Sequence, residues 1–280
     1  MLIEMDKILV TGSAGFIGMH LCEELCKQKF SVIGIDNYDN YYSKTLKQQR
    51  VKNLRKYQNF TFKKVDITNQ NNLFEVFYKY SPKKVVNLAA QAGVRYSLKN
   101  PLKCFNTNVI GFVNVAEACR KTQVEGLIYA SSSSVYGGVK TLPFSEKELK
   151  LNPVSLYGVS KISNELIASS YSKLYGLNTT GLRFFTVYGP WGRPDMAMYI
   201  FSKKILEGKP ITVFNNGNMK RDFTYIDDIV KGILQSLNRN FENEIFNLGN
   251  NKQENLMDMI NELESCLKKK ANIEKHHMFK

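Results

Sequence analysis

Short runs of β-branched residues alternate with longer amphipathic segments from Lys7 onward, and few folds can absorb that rhythm. The runs Lys7–Thr11, Ser31–Asp36, Phe60–Val65, Lys84–Asn87, Gly126–Ser131 and Asn178–Arg183 read as strands. Between them Phe16–Gln28, Thr45–Tyr57, Asn71–Tyr80, Pro101–Lys121 and Ser155–Tyr175 read as helices. Strand and helix taking turns imply right-handed crossovers and a parallel sheet covered on both faces, so the expected class is α/β with a doubly wound sheet. After Arg183 the rhythm breaks at the glycine- and proline-bearing segment Val187–Pro194. A helix over Met196–Glu207, a hairpin-like stretch over Ile211–Arg221 and helices over Ile226–Leu237 and Leu256–Lys269 follow, with a strand at Glu244–Leu248. Residues 1–183 are therefore expected to form the sheet domain. Residues 184–280 are expected to form a smaller lobe closing over the carboxyl ends of the strands, with 244–248 returning to the main sheet. At 280 residues, 43% of them hydrophobic, the chain has core enough for that division.

The first strand runs into Thr11-Gly12-Ser13-Ala14-Gly15-Phe16-Ile17-Gly18, with glycines at every third position opening a helix. Gly12 suits a tight turn, Gly15 a close backbone approach to a pyrophosphate, and Gly18 close packing of helix on strand, while the helix N-terminus offers N–H groups to an anion. The next strand ends in Asp36, about 20 residues on, the position for a carboxylate on the adenosine ribose hydroxyls. A ribose phosphate would meet Asp36 as a like charge, which favours NAD over NADP. Further along, Tyr157-Gly158-Val159-Ser160-Lys161 follows the polar run Ser131-Ser132-Ser133-Ser134 at the end of a strand. Residues four apart share a helix face, and a cation beside a phenol favours the phenolate, a competent general base. Alone, such a pair is an ordinary solvated face; behind a dinucleotide turn and a serine-ended strand it points to catalysis.

Together these features resemble the extended short-chain dehydrogenase/reductase family, over nearly the whole chain from Lys7 to about Lys270. The resemblance implies a Rossmann domain in which Gly12, Gly15, Phe16, Ile17, Gly18, Asp36, Asp66, Ile67, Leu88, Ala89, Ala90, Asn108, Tyr157 and Lys161 hold NAD. Asp66 and Ile67 would contact adenine, and Asn108 would steady the helix behind the active site. The implied catalytic residues are Ser132, Tyr157 and Lys161. Within the family, the runs Asn87–Ser97 and Arg183–Ala197 are most similar to UDP-glucuronate 4-epimerases, isomerases that oxidise a UDP-sugar at C4 and reduce it again on a retained NAD. The substrate-binding residues implied are Arg95, Ser133, Ser134, Thr186, Arg193 and Arg221. Arg221, in the run Arg221–Asp228, would hold the UDP diphosphate, and Arg95 fits either that group or a structural role. Thr186 and Arg193 would fork onto the sugar carboxylate, although an ion pair within the loop also fits Arg193.

Ser133 and Ser134 stand where related dehydratases and decarboxylases carry an acidic residue. A serine lacks that acid or base strength near neutral pH, which leaves oxidation and reduction as the chemistry. Two alternatives remain beside this one: a 4-epimerase of another UDP-hexose or N-acetylhexosamine, and a catalytically impaired nucleotide-binding protein. The second arises because family members generally continue beyond the position of Lys280, so the substrate lobe is expected to be incomplete. A homodimer serving polysaccharide biosynthesis is the expected assembly and setting.

The formal charge of +14 suits anionic ligands, but the lysines are scattered and no basic run is interleaved with aromatics, so nucleic acid is not an expected partner. No stretch approaches the roughly 18 apolar residues of a membrane span, and Met1–Lys7 lacks the regions of a signal peptide, so a cytoplasmic protein is expected. Cys22, Cys26, Cys104, Cys119 and Cys266 are odd in number and dispersed; they read as core thiols, and no metal is assigned.

Overall fold

A computed structural model describes residues 6–148 and 151–276. The segments at 1–5 and 277–280, on which the expectations about the two chain ends rest, lie outside the described residues. In chain order the first elements are β1 (Lys7–Thr11), α1 (Phe16–Lys27), β2 (Ser31–Asp36), α2 (Lys44–Leu54), β3 (Phe60–Lys64), α3 (Gln70–Tyr80) and β4 (Lys84–Asn87). Next come α4 (Val94–Lys99), α5 (Pro101–Phe105), α6 (Gly111–Lys121), β5 (Gly126–Ser132), α7 (Leu156–Tyr175), β6 (Thr179–Phe184) and β7 (Thr186–Tyr188). The chain continues through α8 (Ala197–Leu206), β8 (Ile211–Phe214), β9 (Lys220–Arg221), β10 (Phe223–Tyr225) and α9 (Ile226–Leu237). It closes with β11 (Asn243–Leu248), β12 (Glu254–Asn255), α10 (Leu256–Leu267) and β13 (Ile273–His276).

The chain divides into two compact units, one running to Phe184 and resuming over Asp227–Leu248, the other made of Phe185–Ile226 and the chain from Gly249. The first is built on a seven-stranded sheet of order β11-β6-β5-β4-β1-β2-β3. Every pairing in it is parallel. The chain winds outward from β1 through β2 to β3, then crosses to β4 and winds the other way, so its direction reverses between β1 and β4. That switch point is where ligands bind in such sheets, at the carboxyl ends of the strands. β6 is buried along its whole length, as a strand covered on both faces must be. On one face Leu9, Ile33, Val85, Leu127 and Tyr129 pack with Phe77 of α3 and Phe112 and Val115 of α6. Each fully buried side chain of this kind contributes about 1.5–3 kcal/mol. Burial also pushes the Cys22 and Cys26 thiols up, Cys26 to about 12, which keeps both as neutral core groups of α1.

The single helix expected over Pro101–Lys121 is interrupted. Residues Asn106–Ile110 form one turn of π-helix between α5 and α6, and Asn108 is buried within it. β11 returns to the main sheet as its edge strand, Glu244 opposite Thr180 and Leu248 opposite Phe184.

In the second unit β7 pairs with β10 in parallel, and the core gathers Phe201, Ile205, Ile211, Val213, Leu256, Met259 and Ile260. The hairpin expected over Ile211–Arg221 does not form. β8 pairs in parallel with β13, while β9 pairs antiparallel with β12. The intervening Asn215, Asn216 and Gly217 all have positive φ, 51°, 51° and 84°, and turn the chain away from itself. Among the described residues no helix is long and apolar enough to cross a membrane.

Gly18 shows how tightly the first unit is drawn together: a Cβ there would lie 2.2 Å from the Gly12 carbonyl oxygen, backbone that cannot move aside cheaply. Gly18→Ala should therefore cost about 1–3 kcal/mol of stability in urea unfolding. Gly126→Ala, where the nearest contact would be 3.8 Å, should unfold like the wild type.

Candidate active site

The glycine turn closes the switch point. Gly12 has φ +71°, and a Cβ on it would meet the Ala89 backbone nitrogen at 2.8 Å, so the loops after β1 and β4 touch through bare backbone. The contact is fixed by Thr11, whose hydroxyl donates to Asn87 Oδ1 at 2.6 Å and accepts from the Ala89 N–H at 3.0 Å. Leu88, Ala89 and Ala90 follow, each half-buried. α1 starts at Phe16 with Gly15 as a cap that has no side chain to offer and no acidic residue in its first turn, leaving the helix end to an anion. A dinucleotide pyrophosphate fits this cradle, since glycine backbone and helix end are what it needs.

Asp36 stands at the end of β2 beside the turn. Its Oδ2 accepts from the Ala14 N–H at 3.2 Å and its Oδ1 from the Tyr38 N–H at 2.7 Å. Burial pushes its carboxyl above the usual range, against those two N–H groups and the Lys47 and Arg50 cations. The two cations are engaged by protein oxygens: Lys47 donates to the Asp39 carbonyl at 2.7 Å, and Arg50 to the Ala14 carbonyl at 3.1 Å and the Tyr42 hydroxyl at 2.7 Å. Asp66 accepts from Asn37 Nδ2 at 2.8 Å and from both the N–H and the hydroxyl of Thr68, at 2.9 and 2.7 Å. Burial works to raise its carboxyl, but those hydrogen bonds hold it below the usual range. Ile67 packs where α6 begins, so closely that a Cβ on Gly111 would be 2.7 Å from it.

Ser132 is the last residue of β5, buried, with its hydroxyl accepting from the Ser134 N–H at 3.2 Å across a short helical turn over Ser133–Val135. That turn sits hard against α7, since a Cβ on Gly158 would be 2.6 Å from the Ser134 carbonyl. α7 itself is capped by Ser155, which accepts from the Gly158 N–H at 3.0 Å. The Tyr157 N–H donates to Ser97 of α4 at 3.2 Å. Tyr157 is half-buried, and Lys161 Nζ lies 5.8 Å from its ring centroid on the same helix face. Lys161 is 2% exposed and donates to the Ala130 carbonyl at 2.8 Å. Burial lowers its ammonium from the ordinary lysine range to about 8, with the charges of Cys104 and Glu165 opposing the shift.

Asn108, in the π turn, accepts from the Gln91 N–H at 2.7 Å and donates to the Gln91 carbonyl at 3.2 Å and the Ser160 hydroxyl at 3.0 Å. It thus ties the loop after β4 to α7 one residue from Lys161. Ser97, Ser160 and Gln91 carry no signal in the sequence, because the Gln91 backbone, the Tyr157 N–H on Ser97 and the Asn108 amide on Ser160 are brought together only by the fold.

Arg95 is exposed on α4. Of the other substrate candidates, Ser133 and Ser134 are half-buried in the first unit, and Thr186, Arg193 and Arg221 belong to the second. Thr186 opens β7 and its N–H donates to the Asp222 carbonyl at 3.1 Å. Arg193 forks onto Asp195, Nε to Oδ1 at 3.0 Å and Nη2 to Oδ2 at 2.5 Å. Arg221 is exposed and donates to the Lys220 carbonyl at 2.8 Å. Among the described residues no group of three or more His, Cys, Asp or Glu is placed to hold a metal ion.

Comparison with known proteins adds four findings. The pattern of the NAD dependent epimerase/dehydratase family matches residues 8–249. The chain is 49% identical to Protein CapI of Staphylococcus aureus, covering 95% of this chain and 84% of that protein. It is 44% identical to UDP-glucuronate 4-epimerase 4 of Arabidopsis thaliana, covering 94% of this chain and 64% of that one. Among solved structures it is similar to UDP-glucuronic acid 4-epimerase from Bacillus cereus in complex with UDP-glucuronic acid and NAD, with a TM-score of 0.91, 38% identity, and coverage of 97% and 86% of the two chains.

If the Lys161 cation helps to hold an anionic cofactor, NAD affinity should fall as the pH rises through about 8, because the charged form is present below that value and lost above it. Calorimetry across this range checks it. Lys161→Met, with nothing to titrate, should bind NAD weakly at every pH and show no such fall.

Proposed function

The chain belongs to the NAD dependent epimerase/dehydratase family, and from that premise we propose that it is an NAD-dependent isomerase interconverting UDP-glucuronate and UDP-galacturonate. The observation that supports the reading is that the buried Lys161, beside Tyr157 on α7, holds the Ala130 carbonyl two residues before Ser132 on β5, in the same unit as a glycine turn shaped for a dinucleotide. The sheet unit is the NAD-binding part and the second unit the sugar-binding part. NAD, when bound, supplies the capacity to take a hydride from the sugar's C4 and return it.

Tyr157 takes the proton of the 4-hydroxyl as that carbon is oxidised and gives it back on reduction. Lys161, a cation on the same helix face, favours the phenolate that this requires. Ser132 hydrogen-bonds the same sugar oxygen. The absence of a carboxylate at Ser133 and Ser134 disfavours elimination of water, so the oxidised sugar is reduced again. Arg221 faces the diphosphate. Thr186 and Arg193 hold the sugar carboxylate, which competes with Asp195 for the guanidinium fork.

A homodimer, a cytoplasmic location and a role in polysaccharide biosynthesis complete the proposal, with nucleic acid no part of it. Supporting the dimer, Leu98, Leu102 and Leu166 on the helices around the seam are 63%, 85% and 64% exposed.

Tyr157→Phe should lower turnover by about 10²–10⁴-fold while NAD and UDP-sugar binding stay near the wild-type values, since the ring still packs but takes no proton. A rate above about a hundredth of wild type would remove Tyr157 from its role. The choice of sugar is tested by Arg193→Ala with a panel of UDP-sugars. UDP-glucuronate binding or turnover should weaken by roughly 1.5–3 kcal/mol while UDP-glucose binding is unaffected. Equal losses for both sugars, or a wild type that epimerises only neutral UDP-sugars, would move the assignment to a neutral-sugar epimerase.

A further inference from the structure

A buried charged network lies at the β5–α7 seam and takes no part in the chemistry just described. Arg183 of β6 and Glu165 of α7 form a bidentate ion pair, Nε to Oε1 at 2.9 Å and Nη2 to Oε2 at 2.8 Å. Their side chains are only 3% and 6% exposed. The Ser131 hydroxyl, on β5 immediately before Ser132, donates to the same Oε1 at 2.5 Å. Arg183 Nη1 donates to the Tyr136 hydroxyl at 2.8 Å. That hydroxyl donates to Asn247 Oδ1 of β11 at 2.8 Å, and Asn247 Nδ2 donates to the Phe144 carbonyl at 3.0 Å.

Such a pair is a weak source of stability, because removing two charges from water offsets most of their attraction, and well-packed apolar residues often serve as well. What it does supply is fixed geometry, since each guanidinium and carboxylate bond has a defined direction. Glu165 is one helical turn beyond Lys161. Lys161 holds the Ala130 carbonyl, and Ser131, the next residue, holds Glu165. α7 is therefore tied to the end of β5 on consecutive turns, and Arg183 locks the second tie to β6.

We propose that the Glu165–Arg183 pair is a positioning element for the epimerisation: it seats α7 on the end of β5 and so sets Tyr157 and Lys161 against Ser132. The proposal rests on the function assigned above. Glu165 has a second effect on its neighbour, because its charge favours the Lys161 cation that burial opposes. The titratable or charged groups facing Lys161 are Cys104 from α5, and Tyr157 and Glu165 from α7 itself, with Arg183 of β6 behind Glu165.

Glu165→Gln preserves shape and leaves Arg183 as an unbalanced cation. Per folded site, kcat on the UDP-sugar that the wild type accepts should fall by about tenfold or more while KM stays within about threefold. The pH at which NAD affinity falls should move down by about one unit. Arg183→Lys keeps the charge and loses the fork, so it should reproduce the loss of kcat and leave that pH unchanged. Rates per folded, NAD-binding site within about twofold of wild type in both variants would overturn the proposal, whatever their thermal midpoints. If Glu165→Gln does not fold, Arg183→Lys and Ser131→Ala carry the same comparison, and full rates in both overturn it. The NAD titration needs no sugar. A wild type inactive on every UDP-sugar would therefore refute the function, while an unshifted titration in Glu165→Gln would separately refute the link to Lys161.

Discussion

Lys161 carries an ammonium into a seam that excludes water, and much of the surrounding structure is arranged around that cost. Its hydrogen bond to the Ala130 carbonyl joins α7 to the end of β5 and places the cation on the face of Tyr157. A buried lysine tolerates little movement, since losing its partner would leave an uncompensated charge. Neighbouring groups accordingly hold the first turns of α7 from several sides. Ser155 caps the helix, Ser97 receives the Tyr157 N–H, and Asn108 gives a hydrogen bond to Ser160. The π turn follows from the same demand: one extra residue in the turn brings Asn108 inward to bridge the Gln91 backbone and α7.

The other half of the site depends on backbone contact rather than charge. Gly12, Gly15 and Gly18 let the end of β1, the loop after β4 and the start of α1 come together at the point where the sheet reverses its winding. Arg50, wholly buried, braces this turn through the Ala14 carbonyl. The two halves meet in one unit through the loop after β4, which touches Gly12 at Ala89 and Asn108 at Gln91. The proposed role of Tyr157 as base beside a bound cofactor needs such a link, because both must be held to within a fraction of an ångström.

How much of this could be read from residues alone varied with the range of the interaction. Period and punctuation are local, so the strands from β1 to β6, the glycine turn and the helix carrying Tyr157 and Lys161 were legible. Pairing between distant segments is not local. The stretch 211–221 has the look of a hairpin, yet β8 finds its partner in β13, because that pairing buries Ile211 and Val213 against α8 and α10. The π turn was equally hidden, since Pro101–Lys121 has the apolar spacing of one helix. Arg183 did carry a signal, a charge inside an otherwise uncharged run over Thr179–Phe184, whose meaning emerges only with Glu165 opposite it. Arg193 was legible as a cation in a loop, and the structure adds that its fork is already occupied by Asp195.

The central claim is that the chain oxidises a UDP-sugar at C4 and reduces it again without exchanging the transferred atom with solvent. UDP-glucuronate carrying deuterium at C4, incubated with the purified protein and NAD in ordinary water, tests this most directly. The account predicts UDP-galacturonate with the deuterium retained at C4. Loss of the label to water, or no conversion at all, would contradict it.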